Sequence, residues 1–298
     1  MSSMSTNTLW VVLGPTAIGK TALGIQLAQK LNTEIISCDS RQFYKEMRIG
    51  TAVPSTEELE SVPHHFMQHI SIHQEYSVGC FEKESLKKLE ELLQTKQHAV
   101  LVGGSGLYID AVCKGLDKFP DIKPELREKI RTNYNNKGLA WLQQEVQKND
   151  PEYYQIVDTQ NAYRLLRCLE VCLQSRKTFT SFRKQKTNTR PFNIKYIGLQ
   201  MPREELYLRI NQRVDSMMKE GLLEEAKALL PHQHLNALQT VGYRELFAHL
   251  NGEHTLEKAV ELIKQNTRRF AKRQLTWLKK YENAKWFDSA KEAIKKIQ

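Results

Sequence analysis

Residues 12–21 read VLGPTAIGKT, and Gly14, Gly19, Lys20 and Thr21 fit the spacing G-x-x-x-x-G-K-[ST]. Such a loop wraps backbone N–H groups around anionic oxygens. It adds a lysine charge and a hydroxyl for magnesium, and leads into a helix whose N-terminal dipole also favours anions. The loop needs a strand before it and a helix after it, and both are legible. LWVVLG (9–14) is a short apolar run ending in glycine, as a buried parallel strand would be. Leu23, Leu27, Ala28 and Leu31 then recur at helical spacing, and TEIISCDS (33–40) reads as a second strand ending at Asp39. The spacing predicts an α/β fold with a phosphate-loop, parallel-sheet core of the P-loop NTPase-like kind. Gly14, Pro15, Thr16, Ala17, Ile18, Gly19, Lys20 and Thr21 would hold phosphates. The pattern alone leaves open which phosphates they are and what chemistry is done to them.

Further on, 81–95 is polar and helix-like. Ala99–Val102 reads as another buried strand, and Gly103, Gly104 and Gly106 mark a tight strand-to-helix turn. Ligands of doubly wound sheets lie at such carboxyl ends of strands. From about 117 the texture changes: prolines, many charges and no strand candidate, with Leu126, Ile130, Leu139, Leu142 and Val146 at helical intervals. NIKYIGLQM (193–201) restores a strand, and long helices are expected over roughly 203–230 and 255–283. The simplest organisation is an α/β core formed by 1–116 and 190–298, interrupted by a helical insertion at 117–189.

The formal charge is +10, which suits either simple solubility or a polyanionic partner. Clustering favours the latter. RKTFTSFRKQKTNTR (176–190) and NTRRFAKRQLTWLKK (266–280) are basic and contain no acid. In the second, Arg269, Arg273, Thr276 and Lys280 fall on one helical stripe, and Ile263, Phe270 and Trp277 on an apolar one. A solvated face is the ordinary reading of such a helix, but one sign prevailing over fifteen residues, twice, reads as an electrostatic footprint for phosphates. Five scattered cysteines (Cys38, Cys80, Cys113, Cys168, Cys172) argue against a disulfide framework and fit a reducing cytoplasm. No apolar run approaches the ~20 residues of a membrane span, and the N-terminus does not resemble a secretion signal.

Asp39, at a strand end beside the phosphate loop, either caps the segment that follows or works as a base, metal ligand or sugar-orienting group. Arg244, in QTVGYREL (239–246), is either a surface-loop residue or a cation that neutralises a leaving diphosphate. His64, His65, His69 and His73 cluster, but no further spacing completes a zinc site. The strand AVLVGG ends in glycines where many nucleotide hydrolases carry a magnesium-holding acid, which weakens an ATPase reading.

GPTAIGKT, ISCDSRQFYKEMRIGTAVP, VPHH, EYSVGCF, LVGGSGLY, YRLLRCLEV, VGYREL and TRRFAKRQLTWL, in this order, resemble the successive signatures of the tRNA dimethylallyltransferases, also called tRNA isopentenyltransferases. That family transfers a dimethylallyl group from dimethylallyl diphosphate to N6 of adenosine 37 in tRNA, on a kinase-like core whose helical insertion grips the tRNA. The resemblance implies that the loop holds the donor diphosphate, with Lys20 on the diphosphate, Thr21 toward Mg2+ and Thr16 reaching the oxygen that bridges to the prenyl carbon. It makes Asp39 the general base, and Asp39, Ser40, Arg41 and Gln42 a segment touching the target nucleotide. Ser105, Arg127, Tyr163, Arg164 and Arg167 would contact tRNA. Gly242, Tyr243 and Arg244 would lie near the diphosphate and tRNA, and Arg269, Lys272 and Arg273 belong to the basic helix. The enzyme is expected to be a cytoplasmic monomer, bacterial in type because no C-terminal zinc finger is present. Val53 stands where the family commonly has a lysine in I-G-T-A-K-P. A small-molecule or nucleoside kinase would share the loop but would not need the two basic stretches and the insertion; against a non-catalytic RNA-binding ATPase stands the glycine-rich end of 99–104.

Overall fold

The computed structural model describes residues 7–183 and 189–297. Its centre is β1 (Thr8–Leu13), buried at every position. Side chains of a strand alternate between faces. Leu9, Val11 and Leu13 accordingly join one core, and Trp10 and Val12 the other. The strand therefore reads as continuously apolar, as expected of a parallel strand covered on both faces. With β2 (Ile35–Ser37), β3 (His64–His65), β4 (His98–Val102), β5 (Asn193–Leu199) and β6 (Lys285–Phe287) it forms a sheet of order β3-β2-β4-β1-β5-β6 in which every pairing is parallel.

Helices α1 (Lys20–Lys30), α2 (Thr56–Ser61), α3 (Val78–Thr95) and α4 (Gly106–Lys114) follow the early strands. After them come α5 (Pro124–Asn149), α6 (Pro151–Ile156), α7 (Ala162–Ser175) and α8 (Phe179–Phe182), and after β5 come α9 (Arg203–Lys219), α10 (Leu222–Leu229), α11 (Tyr243–Leu250), α12 (Leu256–Leu278) and α13 (Ala290–Lys296). The chain divides into two units, one of Met1–Lys114 with Thr189–Gln298, the other Gly115–Asn188. The second carries helices α5–α8 and, among the described residues, no strand, and has its own core, in which Ile130, Leu142, Val146, Leu165 and Leu169 pack together. Each such side chain contributes about 1.5–3 kcal/mol when fully buried.

Several elements differ from the sequence expectation. The stretch 203–230 is two helices, because Gly221 takes the left-handed conformation (φ 103°) between them. Strands β3 and β6 are two and three residues long, too short to show an alternation. The last long helix ends at Leu278, so Lys280 lies beyond it. Of the basic stretch 176–190, residues 184–188 lie outside the described residues. No helix of the described residues is long and apolar enough to cross a membrane.

Candidate active site

The turns after β1, β2 and β4 leave the same edge of the sheet. Cys38 N donates to Val102 O at 2.8 Å. A Cβ on Gly103 would lie 2.4 Å from the Cys38 carbonyl carbon, so only glycine permits this approach. Across the turns, Ser40 N donates to Ser105 Oγ at 3.0 Å, and Ser105 Oγ to Ser40 Oγ at 2.9 Å. Asp39 is thereby held beside the phosphate loop. One carboxylate oxygen accepts Arg41 N at 3.1 Å, closing a turn; the next helix begins only at Thr56, so the helix cap anticipated from sequence does not form. The other points toward Gly104, where a Cβ would meet it at 3.3 Å.

The phosphate loop enters α1 through Gly19, whose φ of 103° suits glycine. Lys20 folds back, its Nζ donating to Pro15 O at 2.8 Å. Burial, the largest influence, pulls the Lys20 ammonium down to about 8, Asp39 opposes this, and Arg213 adds to the lowering. Thr16 is engaged twice: its N–H donates to Gln274 Oε1 at 2.8 Å, and its Oγ1 accepts from Arg213 Nη1 at 3.4 Å. The Ile18 side chain is buried in the core, so what this residue can offer an anion is its backbone N–H.

Two cavities open here, of about 350 and 630 Å³. The smaller is lined by Lys20, Thr21 and Gln42, with Arg209 from α9; the larger by Ser105, Gly242, Arg244, Arg273 and Trp277. Both are lined by Thr16, Asp39, Arg213, Phe270 and Gln274. They thus meet where the candidate base, the candidate hydroxyl and a buried guanidinium stand together. Burial lowers Arg213 while Asp39 opposes the change.

Other sequence candidates hold the frame. Arg41 Nη1 donates to Asn236 O and Ala237 O at 2.9 and 2.8 Å, and Gln42 Nε2 to Thr51 O and Ala52 O at 3.0 and 2.8 Å. Backbone N–H groups of Arg48, Ile49 and Gly50 all donate to the Glu225 carboxylate, at 2.9, 2.8 and 2.9 Å. Tyr243 is fully buried and its hydroxyl donates to the same carboxylate at 2.6 Å. Its side chain therefore braces the loop and does not face a partner. Gly242 N and Asn266 Nδ2 both donate to buried Glu245, at 2.8 Å each, which ties the turn carrying Arg244 to α12. Lys280 departs from its expected stripe: it is paired with Asp110. Arg269 and Lys272 are exposed on α12 and line neither cavity.

In the second unit, Arg127 and Arg167 approach the buried Glu170 at 3.4 and 3.5 Å, and Tyr163 is 80% exposed. Arg164 is exposed beside it. The four clustered histidines are separately engaged: His64 with Val62 O, His65 with Glu34, His69 among Phe43, Phe66 and Tyr76, and His73 against the His232 ring. Sequence reading missed Arg209, Arg213 and Gln274. The first two are four residues apart on one helix, a spacing that would have marked a two-pronged basic face. Gln274 carried no signal beyond its place in a basic helix.

The IPP transferase family profile matches residues 42–281. The tRNA dimethylallyltransferase of Flavobacterium johnsoniae is 56% identical over 94% of this chain and 93% of that protein. tRNA dimethylallyltransferase 1 of Bacteroides fragilis is 46% identical over 99% of each. The solved tRNA isopentenylpyrophosphate transferase of Bacillus halodurans superposes with a TM-score of 0.71 at 35% identity, covering 97% of this chain and 93% of its own. A eukaryotic dimethylallyltransferase solved in the act of working on tRNA gives 0.79 at 28% identity, over 91% and 70%. With its phosphate loop, its strand-end aspartate and near full-length likeness to these proteins, the chain belongs to the IPP transferase family.

Proposed function

We propose that the protein is a tRNA dimethylallyltransferase, moving a dimethylallyl group from dimethylallyl diphosphate to N6 of adenosine 37 and releasing diphosphate. The observation that carries this reading is the meeting of two cavities at Thr16, Asp39 and Arg213. Two substrates entering from different sides would react there.

The donor diphosphate sits on the phosphate loop, with N–H groups at the start of α1 and Lys20 facing its charge. The base, extruded from the anticodon loop, enters the larger cavity. The exocyclic amine is a poor nucleophile because its lone pair is delocalised. Asp39 accepts an N6 proton as the C–N bond forms. The allylic C–O bond breaks and the electron pair leaves with the diphosphate. Thr16 and Arg213 stand at the bridging oxygen, and Arg244 adds charge from the larger cavity, so positive groups meet the developing anion. Thr21 lines the smaller cavity, and its hydroxyl is an oxygen donor of the kind magnesium takes beside phosphate oxygens and several waters. The ion, when bound, would supply Lewis-acid charge to the diphosphate. Arg127, Tyr163, Arg164 and Arg167 of the insertion, and Arg269, Lys272 and Arg273 of α12, are assigned to the tRNA, and the reaction to the cytoplasm, where tRNA is found.

Incubation with unmodified tRNA and either prenyl-labelled dimethylallyl diphosphate or γ-labelled ATP tests the reading. Label from the diphosphate should enter RNA. Phosphate transfer from ATP to a small acceptor, with no prenyl transfer, would replace it with the kinase alternative.

A further inference from the structure

Gln274 spans two of the turns that build the site. It lies on α12, 258 residues from the loop it touches. Its Oε1 accepts Thr16 N at 2.8 Å and its Nε2 donates to Gly104 O at 2.9 Å. Only one orientation of the amide satisfies both, because an N–H cannot accept and a carbonyl oxygen cannot donate. The side chain is 8% exposed, and the fit is tight: a Cβ on Gly104 would stand 2.8 Å from its nitrogen.

An ordinary phosphate loop turns its N–H groups to the anion. Here the N–H of Thr16 is directed at a side chain of the protein instead. The hydroxyl of the same residue faces Arg213. We infer that Gln274 is a positioning residue. By taking the backbone of Thr16 it sets the direction of the Thr16 hydroxyl, and it fixes that hydroxyl relative to Asp39 through Gly104. Diphosphate binding falls to Gly19, Lys20 and Thr21, on the other part of the loop. The amide therefore serves the bond-breaking step more than donor affinity. This deepens the reading proposed above and rests on it for the reaction, while the lock itself is a property of the free protein.

Gln274→Met keeps the bulk of the side chain and removes both bonds. Its Thr16 amide should exchange with solvent at least about tenfold faster than in the wild type, because a lost amide hydrogen bond exposes that group. The transfer kcat should fall about tenfold or more, with the donor KM and the Kd for inorganic diphosphate within about threefold, the pattern of an interaction used in the transition state. Should the Met variant not fold, Gln274→Asn carries the same test: it retains an amide but is one methylene short of reaching both partners. A Thr16 amide that exchanges at the wild-type rate in these variants overturns the inference. So does a kcat within twofold of wild type, or an equal loss in kcat and diphosphate affinity. Absence of prenyl transfer by the wild type would instead overturn the proposed reaction, and Thr16 exchange, which needs no substrate, would still judge the lock.

Discussion

In the first unit Lys20, Asp39 and Arg213 are drawn together around Thr16 and partly removed from water. In the second, Arg127 and Arg167 sit about 40% and 36% exposed on either side of Glu170, with Tyr163 projecting into solvent. Charge held at low dielectric acts strongly at short range, whereas exposed charge is screened within about 10 Å at 0.1 M salt. The first arrangement suits a change in bonding. The second suits attraction of a polyanion whose register is set elsewhere.

Substitutions should separate the two. Asp39→Ala should lower the transfer rate by about 10²–10⁴-fold, the usual worth of a positioned base, while calorimetry with inorganic diphosphate finds the affinity little changed. Wild-type turnover would remove Asp39 from its role and blur the comparison. Arg213→Gln should cost about 10²–10³ in kcat, as for loss of one donor to a developing anion. Steady-state kinetics with saturating tRNA would read this.

Next in size is a proton effect. Lys20 titrates near 8 in the free protein, so raising the pH through that value strips its charge. A bound diphosphate favours the ammonium, and binding above pH 8 should take up a proton. Calorimetry in buffers of differing ionisation enthalpy should detect that uptake, and Lys20→Met should abolish it. The smallest effect belongs to the second unit: Arg167→Gln should leave donor KM alone, weaken tRNA binding, and reduce the slope of log K against log salt by about 0.7–0.9. A fall in kcat without a change in salt dependence would mean that the two regions are not divided as described.

Strands β1, β2, β4 and β5 and the phosphate loop were legible in the sequence because they follow short-range rules: an apolar run, glycines at set spacing, a helical pattern after them. Asp39 was legible because a strand end constrains where its residue can lie. Arg213 and Gln274 were not. Each belongs to a helix rich in polar residues; the spacing of Arg209 and Arg213 hints at a basic face, but nothing local says which polar side chains turn toward the loop. Their role follows from α9 and α12 packing beside the loop, which is long-range information. Tyr243 was misread as a contact for the same reason: VGYR announces a turn but not that Gly50 leaves room for the ring, as a Cβ there would meet it at 2.6 Å.

The contact between Gly103 and Cys38 has a consequence for what this scaffold can become. Grafting an acid at position 103 would be the shortest route toward a nucleotide hydrolase, but any side chain there drives into main-chain atoms of the neighbouring turn. A one-step exchange of chemistry is thus barred by steric exclusion. A designer seeking triphosphate cleavage would have to respace β2 and β4 before choosing a catalytic residue.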